Sequence, residues 1–217
     1  MQFTTVFFDL DETLYPASTG LWPALKERMN AYMRERVGIS AEDVPILREK
    51  YFREYGTTMH GLQIHHGLNA ADYLAYVHDL PLEKFLAPDP VQREVIASVT
   101  ARRLIFTNAD AAHARRVLSA LELGDLFDVI VDVNAVAPFC KPMPEALQTA
   151  MRLAGESDPA RCVLIDDLPR TTRAAGDFGM FSILYGQAES TPEADATFTD
   201  WSRLPALLDG RAPAAEQ

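Results

Sequence analysis

Thr4-Thr5-Val6-Phe7-Phe8-Asp9-Leu10-Asp11-Glu12-Thr13 runs from three consecutive large apolar side chains straight into acid. A short, uninterrupted apolar run reads as a strand buried on both faces of a parallel sheet. A carboxylate at the end of such a strand is costly to bury unless something compensates it. Three more segments share the pattern. Arg103–Thr107 holds Leu104, Ile105 and Phe106 and ends at Thr107-Asn108; Phe127–Val131 follows a helix that Gly124 terminates; Arg161–Ile165 ends at Asp166-Asp167. Phe181–Leu184 supplies a fifth strand. Between them, Ala111–Leu123 sets Ala114, Val117, Leu118 and Leu121 on one helical stripe. Pro144–Leu153 repeats this with Ala146, Leu147, Ala150 and Leu153 behind a proline suited to a first turn. The alternation over residues 100–186 predicts an α/β core of the doubly wound, Rossmann-like kind, with ligands at the C-terminal edge of its parallel sheet.

Residues 16–98 break the rhythm. Helical stretches occur at Leu21–Arg36, after Ser40 (whose partner Asp43 three residues on makes a capping box) and at Ala71–His78, with no strand between them. The expected organisation is therefore an α/β core from residues 1–15 and 99–210, and an all-helical cap at 16–98 seated over the first strand's C-terminal edge. An Ala/Pro/Glu tail at 211–217 is expected to fray.

The charge balance narrows the function. Across 217 residues, 20 Lys and Arg face 31 Asp and Glu, a net charge of −11. A polymeric nucleic acid is excluded as a partner, because it requires a basic face. A phosphorylated ligand would need local cations or a metal to overcome the field. No apolar run approaches the roughly 20 residues of a membrane span. Cys140 and Cys162 are too few for a disulfide framework. The first residues lack the basic region and cleavage site of a signal peptide, and a cytoplasmic location is expected.

Four polar groups sit just past predicted strands: Asp9/Asp11, Thr107-Asn108, Lys141-Pro142 and Asp166-Asp167. Each alone reads as an ordinary turn, cap or surface residue. Together they place acidic oxygen ligands suited to Mg²⁺ beside a lysine and a helix N-terminus that can receive an anion, a set able to carry out phosphoryl transfer on a carboxylate nucleophile. Thr107 lies 98 residues after Asp9, Lys141 34 after Thr107, and Asp166 25 after Lys141. This ordered set, with Thr13 completing Asp9-x-Asp11-x-Thr13, resembles the haloacid dehalogenase superfamily, and the long first gap suits a helical cap. The resemblance implies a phosphomonoester hydrolase in which Asp9 attacks phosphorus and Asp11 gives and takes the leaving-group proton. It also implies that Lys141 neutralises charge, that Thr107 and the Asn108 amide grip the phosphoryl group, and that Asp9, the Asp11 carbonyl and Asp166 hold Mg²⁺ with Asp167 close by.

Phe8–Pro16, Tyr55-Gly56-Thr57-Thr58, Tyr76-Val77-His78-Asp79 and Ile105–Ala109 are similar to pyrimidine 5′-nucleotidases within that superfamily. That likeness implies a small phosphomonoester, a pyrimidine nucleoside 5′-monophosphate first, as substrate. A phosphatase or mutase of sugar or hydroxy-acid phosphates, a metal-free 2-haloacid dehalogenase and a silent binding protein stay open as alternatives. One departure stands out: Thr171 occupies a position where related motifs often carry Asn, and it is expected to cap the helix that follows. His60, His65, His66, His78 and His113 read as packing or surface residues and Cys140 and Cys162 as buried thiols, while Arg170 stays open between a solvated surface arginine, the more frequent outcome, and a residue reaching the substrate mouth.

Overall fold

The computed structural model describes residues 3–209; the tail expected to fray and the first two residues lie outside them. The strands are β1 (Thr5–Phe8), β2 (Arg102–Phe106), β3 (Val129–Val131), β4 (Cys162–Asp166), β5 (Phe181–Tyr185) and β6 (Ala196–Phe198). They form one sheet in the order β3-β2-β1-β4-β5-β6, and every pairing is parallel. The chain builds outward from β1 to β3 and returns to add β4–β6 on the other side, so β1 stands at the switch point where α/β folds bind ligands. The fold class read from the alternation is the one observed. β6 was not foreseen, because three residues are too few to show a period.

The burial of β1 explains why its sequence is apolar throughout. Val6 and Phe8 join Ile105, Val163 and Ile165 in the core on one side of the sheet, while Phe7 joins Leu104, Phe106 and Leu164 on the other. α6 (Ala111–Ala120) adds Ala114, Val117 and Leu118 to the first layer. α7 (Pro144–Ala154) and α8 (Pro169–Asp177) add Ala146, Leu147, Ala150, Met151 and Ala175 to the second.

Between β1 and β2 the chain is helical: α1 (Leu21–Glu35), α2 (Asp43–Tyr55), α3 (Thr58–His66), α4 (Ala70–Val77) and α5 (Pro90–Ser98). Ser40 and Asp43 pair just ahead of α2, the hydroxyl accepting from the Asp43 amide at 3.1 Å and donating to its carboxylate at 2.7 Å, but the N-cap of α2 is Glu42 and the expected capping box does not close on a Ser40 amide. α2 and α3 pack tightly because Gly61 lets them: a Cβ there would sit 2.3 Å from the Tyr51 ring. α5 differs from its neighbours. It packs against the turn Trp201–Arg203 and α9 (Leu204–Leu208), and Gln92 donates its side-chain amide to the Leu14 carbonyl at 2.9 Å. Among the described residues no helix is long and apolar enough to cross a membrane.

Candidate active site

The C-terminal ends of β1, β2 and β4 bring the motif residues together. Asp9 follows β1 directly and is held by its amide, which donates to the Ile165 carbonyl of β4 at 2.9 Å. The next residues leave the strand in a tight turn: Glu12 adopts a left-handed φ of 61°, and the Leu14 amide donates to the Leu10 carbonyl. This turn aims the Thr13 hydroxyl back at Asp9 Oδ2, 3.2 Å away, with Asp167 Oδ1 at 3.5 Å.

Lys141 comes from the loop before α7 and is 3% exposed, so its ammonium depends entirely on partners inside the protein. Its Nζ donates to Asp9 Oδ1 at 2.6 Å and to Asp166 Oδ2 at 2.7 Å. Burial works against the charge, but Asp166 and Asp9 carry the Lys141 pKa above its ordinary value. The backbone of Lys141 is fixed by Asn108, whose side chain donates to the Lys141 carbonyl at 3.0 Å and accepts from its amide at 2.9 Å. The Asn108 side chain therefore anchors the lysine. Thr107 is buried beside it, its hydroxyl accepting from the Ala109 amide.

Asp9, Asp166 and Asp167 each place a carboxylate oxygen within 4.8 Å of the others. One ammonium cannot balance three carboxylates. Burial and the Asp166 charge push Asp9 up to about 7 in spite of Lys141, and burial with Asp166 and Asp9 pushes Asp167 up to about 9. An all-oxygen donor set short of positive charge is the chemistry of a hard divalent-cation site. Thr171 does not cap α8: it lies inside the first turn, buried, with its amide on the Leu168 carbonyl, and the polar contact at the helix entrance is Asp166 Oδ1 accepting from the Leu168 amide. A buried side chain at that position packs against the site floor and cannot also reach the end of the helix.

Asp11 stands apart from this cluster. Its Oδ1 accepts from the Tyr15 hydroxyl at 2.7 Å and from His113 Nε2 at 3.2 Å. Burial pushes the Asp11 carboxyl up, but His113, Tyr15 and His78 outweigh it and bring it below the usual range. Behind His113 the His78 ring stacks at 4.0 Å and 17°, and His78 Nδ1 donates to Asp110 Oδ2 at 2.8 Å. Neither histidine nor Tyr15 was among the residues expected to act. His113 lies in the first turn of α6 and His78 ends α4, so only tertiary packing joins them to Asp11, which is 102 residues from His113 and 67 from His78 (78 − 11) in sequence. Arg170, open between a surface arginine and a residue at the substrate mouth, is half-buried and tied to the insertion. Its guanidinium lies 3.6 Å over the Phe52 ring and donates to the Phe52 and Gly56 carbonyls at 2.6 and 2.7 Å, closing the C-terminus of α2 onto α8. Cys140 is buried as expected, donates to the Tyr55 carbonyl, and burial pushes its thiol up to about 11. His65 and His66 pair with the Tyr55 and Tyr51 hydroxyls on the insertion.

A cavity of about 360 Å³ opens onto Asp9, Asp11, Thr107, Asn108 and Lys141. Its far wall is formed by the helical insertion, including Trp22, Lys26, Arg48, Phe52 and Tyr73. The family model for haloacid dehalogenase-like hydrolases matches residues 3–179 of this chain. The protein belongs to the haloacid dehalogenase-like hydrolase family. Within reach of this hydrolase is Phosphate metabolism protein 8 of Saccharomyces cerevisiae, 30% identical over 193 residues, which are 82% of this chain and 60% of that protein. The chain thus spans 60% of that relative's length. Among solved structures, the hydrolase is similar to the magnesium-bound haloacid dehalogenase-type hydrolase YfnB of Bacillus subtilis (TM-score 0.61, 15% identity, 96% of this chain and 100% of that one). It is also similar to the L-2-haloacid dehalogenase of Xanthobacter autotrophicus (TM-score 0.60, 16% identity, 97% and 100%). At these identities the likeness is one of fold.

Proposed function

We propose that this hydrolase is a Mg²⁺-dependent phosphomonoesterase that works through an aspartyl-phosphate on Asp9, with a pyrimidine nucleoside 5′-monophosphate as its leading substrate. The observation that carries the reading is the buried cluster of Asp9, Asp166 and Asp167 around the single ammonium of Lys141. The carboxylates of Asp9, Asp166 and Asp167 and the main-chain carbonyl of Asp11 would hold Mg²⁺, which when bound supplies positive charge to the phosphoryl oxygens. A dehalogenase needs neither an acid nor a divalent cation for its departing halide, so it gives no chemical use to the excess of negative charge that Asp166 and Asp167 add beside Asp9.

In the first half-reaction an Asp9 carboxylate oxygen bonds to phosphorus and the bond to the leaving oxygen breaks. Asp11 gives its proton to that oxygen. In the second, Asp11 takes a proton from water as the water oxygen bonds to phosphorus, and the bond to Asp9 breaks to release phosphate. Positive charge at the cluster lowers Asp9 into its nucleophilic form. A phosphate dianion beside Asp11 favours its protonated form. Lys141 keeps Asp9 in place and faces the phosphoryl oxygens, while Thr107 and the Asn108 amide grip them.

The inserted helices are proposed to act as a cap that excludes bulk water, with α1–α4 as the moving part and α5 staying with the Trp201–Arg203 turn and α9 it packs on. Trp22, Phe52 and Tyr73 give the cavity an aromatic wall suited to a planar base, and Lys26 and Arg48 bring donors for its carbonyl oxygens to the same wall. A cytoplasmic location completes the proposal. The test is phosphate release from UMP, CMP, AMP and several sugar phosphates, with and without Mg²⁺. The expected result is metal-dependent turnover, fastest on the pyrimidine nucleotides and abolished in Asp9→Asn. No release from any ester, or release equal in Asp9→Asn, overturns the reading.

A further inference from the structure

The polar contacts of Asp11 are unevenly shared between its two oxygens. Oδ1 receives both the Tyr15 hydroxyl and His113 Nε2, whereas Oδ2 has no hydrogen-bond partner among the described residues and Asp11 lines the cavity. The donor side is rigid. His113 is 1% exposed, its backbone amide is capped by Asp110 Oδ1 at 2.9 Å at the start of α6, and its ring is sandwiched against His78. His113 Nδ1 is buried without a partner, so a proton placed there would be stranded; the proton on Nε2 is the one that has an acceptor. Tyr15 is 2% exposed and equally confined.

We infer that His113 and Tyr15 are positioning residues that pin Asp11 by Oδ1, leaving Oδ2 as the atom that exchanges the leaving-group proton. A carboxylic acid whose one oxygen already accepts two hydrogen bonds carries its proton on the other, which here faces the cavity. The His78 ring ties this arrangement to the insertion. His78 ends α4, its Nδ1 is anchored on Asp110, and its carbonyl accepts from Arg116 Nη1 at 2.8 Å. The geometry of the acid is thus set jointly by the sheet side and the helical insertion. This inference rests on the phosphomonoesterase reading, in which Asp11 is the proton donor.

The experiment compares kcat/KM for UMP, whose leaving alcohol needs a proton, with kcat/KM for p-nitrophenyl phosphate, whose phenolate leaves without one. The variants are His113→Leu, His113→Gln and the near-isosteric Tyr15→Phe. We expect His113→Leu and Tyr15→Phe to lower kcat/KM for UMP by roughly 10²-fold, the low end of general-acid effects, and for p-nitrophenyl phosphate by less than about fivefold. His113→Gln, which keeps a donor near Nε2, should recover part of the loss. In the two damaged variants p-nitrophenolate should appear in a burst, because the phosphoenzyme then waits on deprotonation of its water. Equal losses on both esters, in Tyr15→Phe as well as His113→Leu, would overturn the inference and leave the phosphatase reading standing. A wild-type enzyme that hydrolyses neither ester overturns both.

Discussion

Lys141 is the residue on which the site's electrostatics turn, because it is the single ammonium among three buried or half-buried carboxylates. Removing one member of a buried ion pair leaves the others unpaired in a low-dielectric setting. Lys141→Met should therefore destabilise the fold by about 3–5 kcal/mol in urea titrations, and lower kcat/KM by roughly 10³-fold. Unchanged stability would mean that solvent already screens the cluster. The acidic motifs and Thr107-Asn108 were legible because each follows directly on a strand whose apolar run is unmistakable, whereas Lys141, ten residues past β3 (141 − 131), was legible through its place in the ordered set of motifs. Tyr15, His78, His113 and Arg170 were not. Their roles depend on which helix face meets the sheet edge, and a single sequence has no pattern that records a contact between α4 and α6.

At the scale of elements, the insertion is tied to the core through Arg116 and Asp110 at the end of α4 and through Arg170 at the end of α2. Arg170→Ala removes two charge-assisted hydrogen bonds, each worth about 1.5–3 kcal/mol at most, and the stacking on Phe52. Hydrogen exchange should then quicken first in α2 and α3 while β1, β2 and β4 keep their protection. Uniform quickening would show that insertion and sheet open as one unit. Gly61 tests the packing within the insertion: Gly61→Ala drives a methyl into the Tyr51 ring, and the overpacking should cost on the order of 1–3 kcal/mol by thermal melting. The sequence pointed to α1, α2 and α4 through caps and apolar spacing. It concealed α3, whose Thr58–His66 run carries a glycine and two terminal histidines and has little amphipathic contrast.

For the whole molecule, the His78–Asp110 pair contributes to the acid side of the stability curve. Burial pushes His78 below the usual histidine range even though Asp110 opposes this, and its partner Asp110, for which burial acts upward, is held well below the carboxylate range by His78 and the amides of α6. At neutral pH the pair is thus an uncharged imidazole donating to an ionised carboxylate. Both groups bind protons less readily folded than unfolded, so stability is full above the unfolded histidine value near 6.5 and falls as pH drops below it. In both proteins the raised carboxyls of Asp9 and Asp167 bind protons more readily folded than unfolded and add stability as pH falls, so the test is a difference: between pH 7 and pH 5 the melting temperature of the wild type should fall relative to that of His78→Gln, and an identical slope in the variant would remove His78 from the account. The core and the presence of a helical insertion followed from periodicity over the chain, while the return of α5 to the sheet side depends on contacts with residues more than a hundred positions later.

The central claim is that water attacks phosphorus on an Asp9 phosphoenzyme. Mass spectrometry of the Asp9 peptide from an acid-quenched turnover of UMP reads the phosphoenzyme as an added phosphoryl group, and a single turnover in ¹⁸O-labelled water, with both the released phosphate and that peptide analysed, reads where its water attacks. The account predicts the label in phosphate and none in Asp9. Label in the Asp9 carboxylate, the signature of attack on a carboxylate ester as in dehalogenation, would contradict it.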